Sequence, residues 1–235
     1  GSEMCIRDRM DTISNIPVIT IDGPSASGKG TVATLLAREL GWYALDSGAL
    51  YRLTALDCMK KKVDLDDQDA VSAVAAGLSI KFLPEGVFLH DENVSESIGS
   101  EQVGAIASKI AVYPKLRATL LQSQRNCRRA PGLVADGRDM GTLVFPDADL
   151  KIYLVADVQK RAERRYKQLM NKGFSVKLSS LIADLEARDQ RDMNREYAPL
   201  RPADDAITVD SSDLDIDETV AVVLKHWYHR IDPAE

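Results

Sequence analysis

Only three cysteines occur in the 235 residues, Cys5, Cys58 and Cys127, and none forms a Cys-x-x-Cys pair. Odd in number and widely spaced, they exclude a disulfide framework and read as reduced, inert thiols. No apolar run approaches the ~20 residues that span a bilayer, and the start lacks the apolar core of a secretion signal. A cytoplasmic protein with no membrane partner is expected. Basic residues are not in excess either: 30 Lys and Arg stand against 36 Asp and Glu, giving a net charge of −6 and a pI near 5.2. That balance excludes a general nucleic-acid surface, so any basic site must be local. Aromatics are scarce at 6%, which removes the stacking platforms of a single-strand binder. Internal repeats and low-complexity tracts are absent from the sequence, so a solenoid is not indicated.

What is present is ordinary globular material, 45% hydrophobic and 28% charged. Single cores grow to roughly 250 residues, so one domain is the default. Gly1-Ser2 resembles a cleavage scar, and residues 1–15 read as a tag or disordered N-terminus with Met4 and Met10 as candidate starts. The domain proper is 16–235.

Four short apolar runs read as strands buried on both faces: Val18 to Ile21, Leu133 to Ala135, Ile152 to Val155 and Ile207 to Val209. Trp42 to Leu45 is a weaker fifth. Helical patterns lie between them, at Thr31 to Leu40 and Val158 to Met170, so strand and helix alternate into a layered α/β fold with a parallel sheet. The last helix, from Ile216, repeats Val220, Val223 and Trp227 on one face that should cover that sheet. One segment breaks the alternation. Ser79 to Leu83 and Val87 to His90 flank Pro84-Glu85-Gly86, which reads as an antiparallel hairpin. The acidic run Asp64 to Asp69 before it reads as a solvated loop or helix start rather than a metal site.

The strongest motif is Gly23-Pro24-Ser25-Ala26-Ser27-Gly28-Lys29-Gly30-Thr31, directly after the first strand and directly before a helix. Glycines let backbone N–H groups turn inward around phosphates, the helix adds its positive dipole end, and Lys29 reaches the outer phosphates. Gly30 stands where the general pattern has Ser or Thr, so the hydroxyl available to magnesium is that of Thr31. A guanine reader would need Asn-Lys-x-Asp, but Asn171-Lys172 is followed by Gly173 and Phe174.

Two further strand ends carry polar groups to the edge where open α/β sheets bind ligands. Asp46-Ser47-Gly48 follows the second strand, with Arg52 one turn into the next helix. Gly132 to Gly141 ends an apolar strand in Asp136, Arg138 and Asp139; the spacing suits Asp136 to a Walker-B-like magnesium carboxylate and Arg138 to a bidentate phosphate clamp. Farther on, Leu178, Leu181, Leu185, Arg188, Asp192 and Arg195 repeat at three and four, one stripe that starts apolar and ends charged. A helix running from a core into an anionic cleft has this form. Lys160, Arg161, Arg164, Arg165, Lys167 and Lys172 make a basic stretch before Gly173, and spacing does not separate a lid over ATP from a solvated face. His226 and His229, one turn apart without a third ligand, read as surface residues.

Taken together, the loop at 23–31, Asp46-Ser47-Gly48-Ala49 with Tyr51-Arg52, Ala135-Asp136-Gly137-Arg138-Asp139-Met140-Gly141-Thr142 and Arg188-Asp189-Gln190-Arg191-Asp192-Met193-Asn194-Arg195 resemble the bacterial cytidylate kinases, nucleoside monophosphate kinases of the P-loop class. The resemblance runs from about Ile16 to Tyr228, with Ala26 standing where many members have glycine. It implies transfer of the γ-phosphoryl of ATP to CMP or dCMP, with Mg2+, in pyrimidine nucleotide metabolism. It also implies a three-layer P-loop fold with a small antiparallel nucleotide-monophosphate insert, about 62–112, and a short lid, about 160–178. By the same resemblance Lys29, Arg138 and Arg188 are catalytic; Arg52, Arg138 and Arg188 hold the acceptor phosphate; Asp192 with Arg188 holds the ribose; and Ser108, Arg117 and Asp139 read the base. Ser47 and Arg195 lie among the acceptor-binding residues, with Thr31 and Asp136 as magnesium ligands. A monomer acting on small nucleotides, with no nucleic-acid partner, is expected.

Overall fold

A computed structural model describes residues 16–232 apart from Pro84, Lys172 and Phe174. The reading of 1–15 as a tag, Cys5, both candidate starts, Pro84 of the hairpin turn and Lys172 of the basic stretch lie outside the described residues.

Five strands make the main sheet: β1 (Val18–Asp22), β2 (Tyr43–Asp46), and then β6 (Leu133–Gly137), β7 (Leu150–Val155) and β8 (Ile207–Asp210), numbered after the three strands of a second sheet. Their order across the sheet is β2-β6-β1-β7-β8, with β1 between β6 and β7. Val18 faces Leu133, Ile19 faces Leu150, and Ile152 faces Ile207, all in parallel register. All five expected strands are present, but β8 is not buried on both faces as expected: it is an edge strand with only Val209 buried and Thr208 exposed. β1 and β6 are buried along their whole length, which is why they read as unbroken apolar runs.

Helices α1 (Lys29–Leu40) and α8 (Ile216–Ile231) close one core over this sheet, with Val32 and Leu36 meeting Ile19, Leu154, Val220, Val223 and Trp227. α8 begins with a reciprocal capping box between Asp215 and Glu218. The rings of Trp42 and Trp227 meet edge to face at 5.1 Å. A Cβ on Gly132 would sit 2.3 Å from the Trp42 indole, so only glycine lets the chain pass there. α6 (Val158–Asn171) and α7 (Leu178–Asn194) pack on each other through Ala162, Leu169, Leu181 and Leu185.

The chain divides into two compact units, Asp46–Arg125 and the described residues on either side of it. Asp46–Arg125 holds the helices α2 (Ser47–Lys61), α3 (Gln68–Ala76), α4 (Glu101–Ile110) and α5 (Pro114–Arg125), with its own core around Leu53, Leu56, Val71, Ile110 and Leu116. Here the expected hairpin appears as β3 (Ile80–Leu83) and β4 (Gly86–Leu89), antiparallel, with Ile80 facing Leu89. A third strand, β5 (Glu92–Asn93), joins β4 and was not foreseen. The acidic run ends, as expected, at a helix start, where the Asp67 carboxylate caps α3 by accepting from Asp69 N and Ala70 N. Buried Asp57 of α2 accepts from Lys61 Nζ at 2.8 Å and lies 3.0 Å from His90 Nε2, tying that helix to the small sheet.

Candidate active site

Residues 23–28 form a tight loop between β1 and α1. Gly23 has φ 154°, and a Cβ there would meet the Leu154 carbonyl oxygen at 2.0 Å. Gly28, at φ 93°, opens α1 in a left-handed conformation. Lys29 is buried and donates to the Pro24 carbonyl at 2.8 Å, back across its own loop. Burial, then the neighbouring Arg138 charge, lower its pKa from 10.5 to about 7, against the pull of Asp136 and Asp22. A protonated Lys29 is therefore held at a deficit that a phosphate would relieve.

Around this loop the unit outside Asp46–Arg125 gathers motifs that the sequence scatters. Arg138 Nη2 donates to the Ser25 hydroxyl at 2.8 Å, and its Nε donates to Asp192 at 2.8 Å. For Asp192, burial raises the pKa, but Arg138 and Arg188 outweigh it and hold the carboxyl below the usual range. For Arg138, burial is outweighed in turn by Asp192, so its pKa is raised. Arg188 lies near enough to depress Lys29 and to stabilise the Asp192 anion. Along α7, Leu181, Leu185, Asp192 and the following Arg195 are buried while Leu178 is 37% exposed. The stripe runs from core to charge cluster as its spacing predicts, and its far end does not emerge into water. Arg195 Nε donates to the Ala198 carbonyl.

Asp136, next to the last residue of β6, has its Oδ2 3.0 Å from where a Cβ on Gly30 would stand. Its carboxylate is thus beside the first turn of α1, the turn that also holds Thr31. Two hard oxygen donors beside a phosphate-binding loop suit Mg2+, which keeps several waters and takes few protein ligands. Among the described residues no group of three or more His, Cys, Asp or Glu could hold a metal. Asp139 is buried, and its carbonyl accepts from Leu143 N at 2.9 Å and Val144 N at 3.2 Å in a π turn over Met140–Val144.

Asp46–Arg125 carries the other expected residues. Asp46 caps α2 by accepting from Ala49 N at 3.0 Å, and Ser47 is buried at the helix start. Arg52 donates to the Ile98 and Ser100 carbonyls at 3.0 and 3.2 Å. Its guanidinium would be 2.9 Å from a Cβ at Gly104, so that glycine makes its seat. Ser108, one turn farther along α4, has a buried hydroxyl with no hydrogen-bond partner. Arg117 is buried, donates to Ala111 O at 3.2 Å and lies 5.8 Å from the Tyr51 ring centre.

One buried residue, Asp22, escaped sequence reasoning, and so did the pairing of Arg161 with Asp189, since Arg161 is neither on a solvated face nor unpartnered in a lid. Asp22 closes β1 and accepts from Met140 N and Gly141 N, both at 2.8 Å, so it anchors the loop that bears Arg138 and Asp139. Burial raises its pKa to about 6, against the lowering effect of those two N–H groups. The signal was an acid ending an otherwise apolar strand. Arg161 and Asp189 form a buried ion pair at 2.7 Å. Asp189 follows Leu185 by four on the same stripe, a spacing that could have found it.

A family model described as cytidylate kinase matches residues 19–229. The chain belongs to the cytidylate kinase family. It is 56% identical over 211 residues to a cytidylate kinase of Bordetella bronchiseptica, covering 90% of this chain and 95% of that one. A Cupriavidus necator relative of the same name is 53% identical over 218 residues, covering 93% and 98%. One from Aeromonas salmonicida is 51% identical over 222 residues, covering 93% and 96%. These alignments span both compact units, so the family assignment holds for Asp46–Arg125 as for the loop-bearing unit.

Proposed function

We propose that this chain transfers the γ-phosphoryl of ATP to CMP or dCMP, giving ADP and CDP or dCDP, as a step of pyrimidine nucleotide metabolism. The observation that carries this reading is the seat of Arg138. One guanidinium bonds both a phosphate-loop hydroxyl and Asp192 of the charged stripe, so a donor-phosphate loop and an arginine cluster share one site. Phosphoryl transfer needs such positioning and charge neutralisation rather than a covalent nucleophile.

In this reading the loop N–H groups and Lys29 take the phosphates of ATP, and Arg52, Arg138 and Arg188 take the single phosphate of the acceptor. Asp192 with Arg188 holds the ribose, supported by Arg195. The reading also assigns Ser47 to the acceptor and Ser108 and Arg117 to the base; the unpartnered Ser108 hydroxyl suits a polar ligand atom. The acceptor insert at about 62–112 and the lid at about 160–178 are part of the same proposal. Thr31 and Asp136 would hold Mg2+, which would neutralise phosphate oxygens when bound. No described helix is long and apolar enough to cross a membrane. We read the protein as a cytoplasmic monomer.

An acceptor panel tests the proposal: ADP formation from ATP with CMP, dCMP, UMP, AMP or no acceptor. Turnover should rise with CMP and dCMP and stay at background with AMP or no acceptor. Turnover that rises equally with AMP, or that needs no acceptor, would sink it. Cytosine offers an amino donor where uracil offers a carbonyl, so a carboxylate at Asp139 should favour CMP. Asp139→Asn should narrow the CMP to UMP ratio of kcat/KM.

A further inference from the structure

Arg161 does not behave as a lid or surface arginine. It is buried, and its three nitrogens have three different partners: Nε donates to Ala156 O at 2.9 Å, Nη1 to Ser25 O at 2.9 Å, and Nη2 meets Asp189 at 2.7 Å. The Ser25 contact ties α6 to the backbone of the phosphate loop. The next residue, Ala26, has φ 60°, a left-handed conformation that side-chain-bearing residues avoid. Its methyl packs against the α6 and α7 cluster of Ala162, Leu169, Leu181 and Leu185.

These facts join through the geometry of one peptide. In a trans peptide the carbonyl and the N–H point in opposite directions. With the Ser25 carbonyl turned outward to Arg161, the Ala26 N–H is turned the other way. Rotating that peptide by half a turn would give Ala26 a negative φ and relieve its strain, but would aim a carbonyl oxygen where the N–H had been. A phosphate attracts the first arrangement and repels the second.

We propose that Arg161 is a positioning residue that holds the Ser25–Ala26 peptide with its N–H directed at the bound phosphates. Asp189 orients the guanidinium, and the clamp is needed because residue 26 is alanine rather than glycine. The proposal rests on the phosphate-loop half of the reading above and goes beyond it.

The test measures ADP and CMP dissociation constants by calorimetry. The double variant Arg161→Met/Asp189→Asn removes the clamp without leaving a buried unpaired charge. ADP should bind ~10-fold more weakly, the equivalent of one bond to a charged group, while CMP changes less than about threefold. Adding Ala26→Gly, which abolishes the strain that favours rotation, should bring ADP back to within about threefold of the parent chain. ADP binding within twofold of the parent, equal weakening of ADP and CMP, or no recovery with Ala26→Gly overturns the proposal. Should the double variant not fold, Arg161→Lys keeps the charge opposite Asp189 while losing the fork, and the same three outcomes decide. A parent chain that binds ADP but not CMP removes only the acceptor assignment, and the ADP measurements still judge Arg161.

Discussion

The two sheets of this molecule are built on opposite terms. β1 and β6 are buried at every residue, whereas β3 and β5 are mostly exposed and carry no expected site residue. Along β1 and β6 the carboxylates stand only towards the carboxyl ends, where the buried strand gives way to a loop. Asp22 and Asp136 stand there, with Arg138 and Asp139 just beyond β6. In the small sheet β4 turns Leu89 into the core while β3 and β5 stay largely in water, so nothing concentrates polar groups at one edge. The proposed catalytic residues gather where the apolar pattern of β1 and β6 stops.

The largest effect should come from the edge of the main sheet. Lys29→Ala should lower kcat by at least ~10³-fold, or ~4 kcal/mol, while leaving the melting temperature nearly unchanged or raised, since a buried ammonium with a lowered pKa opposes folding when charged. Steady-state kinetics with a thermal melt check both halves; full activity in the folded variant would contradict the assigned role. Next comes the strand interior. Ile21 is fully buried, so Ile21→Ala should cost about 3 to 4 kcal/mol in urea unfolding, and a loss under 1 kcal/mol would break the contrast between the sheets.

A smaller effect sharpens the electrostatic side of the same edge. Free Lys29, with a pKa of about 7, is mostly neutral at pH 8. Bound phosphate favours the charged form, so the pKa rises on binding and ADP should take up close to one proton at pH 8 and little at pH 6. Calorimetry in two buffers of different ionisation heat measures this, and a heat independent of buffer at pH 8 would refute it. The smallest effect belongs to the other sheet. Phe82 is 59% exposed on β3, so Phe82→Ser should shift stability by no more than ~0.5 kcal/mol.

The contrast also explains what the sequence showed beforehand. Strands buried on both faces announce themselves as apolar runs, and the loop at 23–31 is fixed by glycines that only its backbone path requires. The α7 stripe was legible because helical spacing puts Leu181, Leu185, Arg188 and Asp192 on one face. β5 was not, since two residues, Glu92 and Asn93, make no pattern. The partners of Asp22, Arg161 and Asp189 were not legible for another reason: they are backbone groups and charges distant in sequence, such as Met140 N for Asp22 and Ser25 O for Arg161. Spacing reports which face a residue is on, and says nothing of which distant carbonyl waits there.

The meeting of Trp42 with Trp227 has a practical consequence. They are the only two tryptophans of the chain, and both belong to the unit that carries the phosphate loop. Emission excited at the red edge of the protein band is therefore a reporter for that unit alone, and its change on denaturation times the parting of the β2 edge from the last helix. Asp46–Arg125 has no indole and is dark to the same light, so a difference between an emission curve and a far-ultraviolet ellipticity curve would reveal the two units coming apart in separate steps.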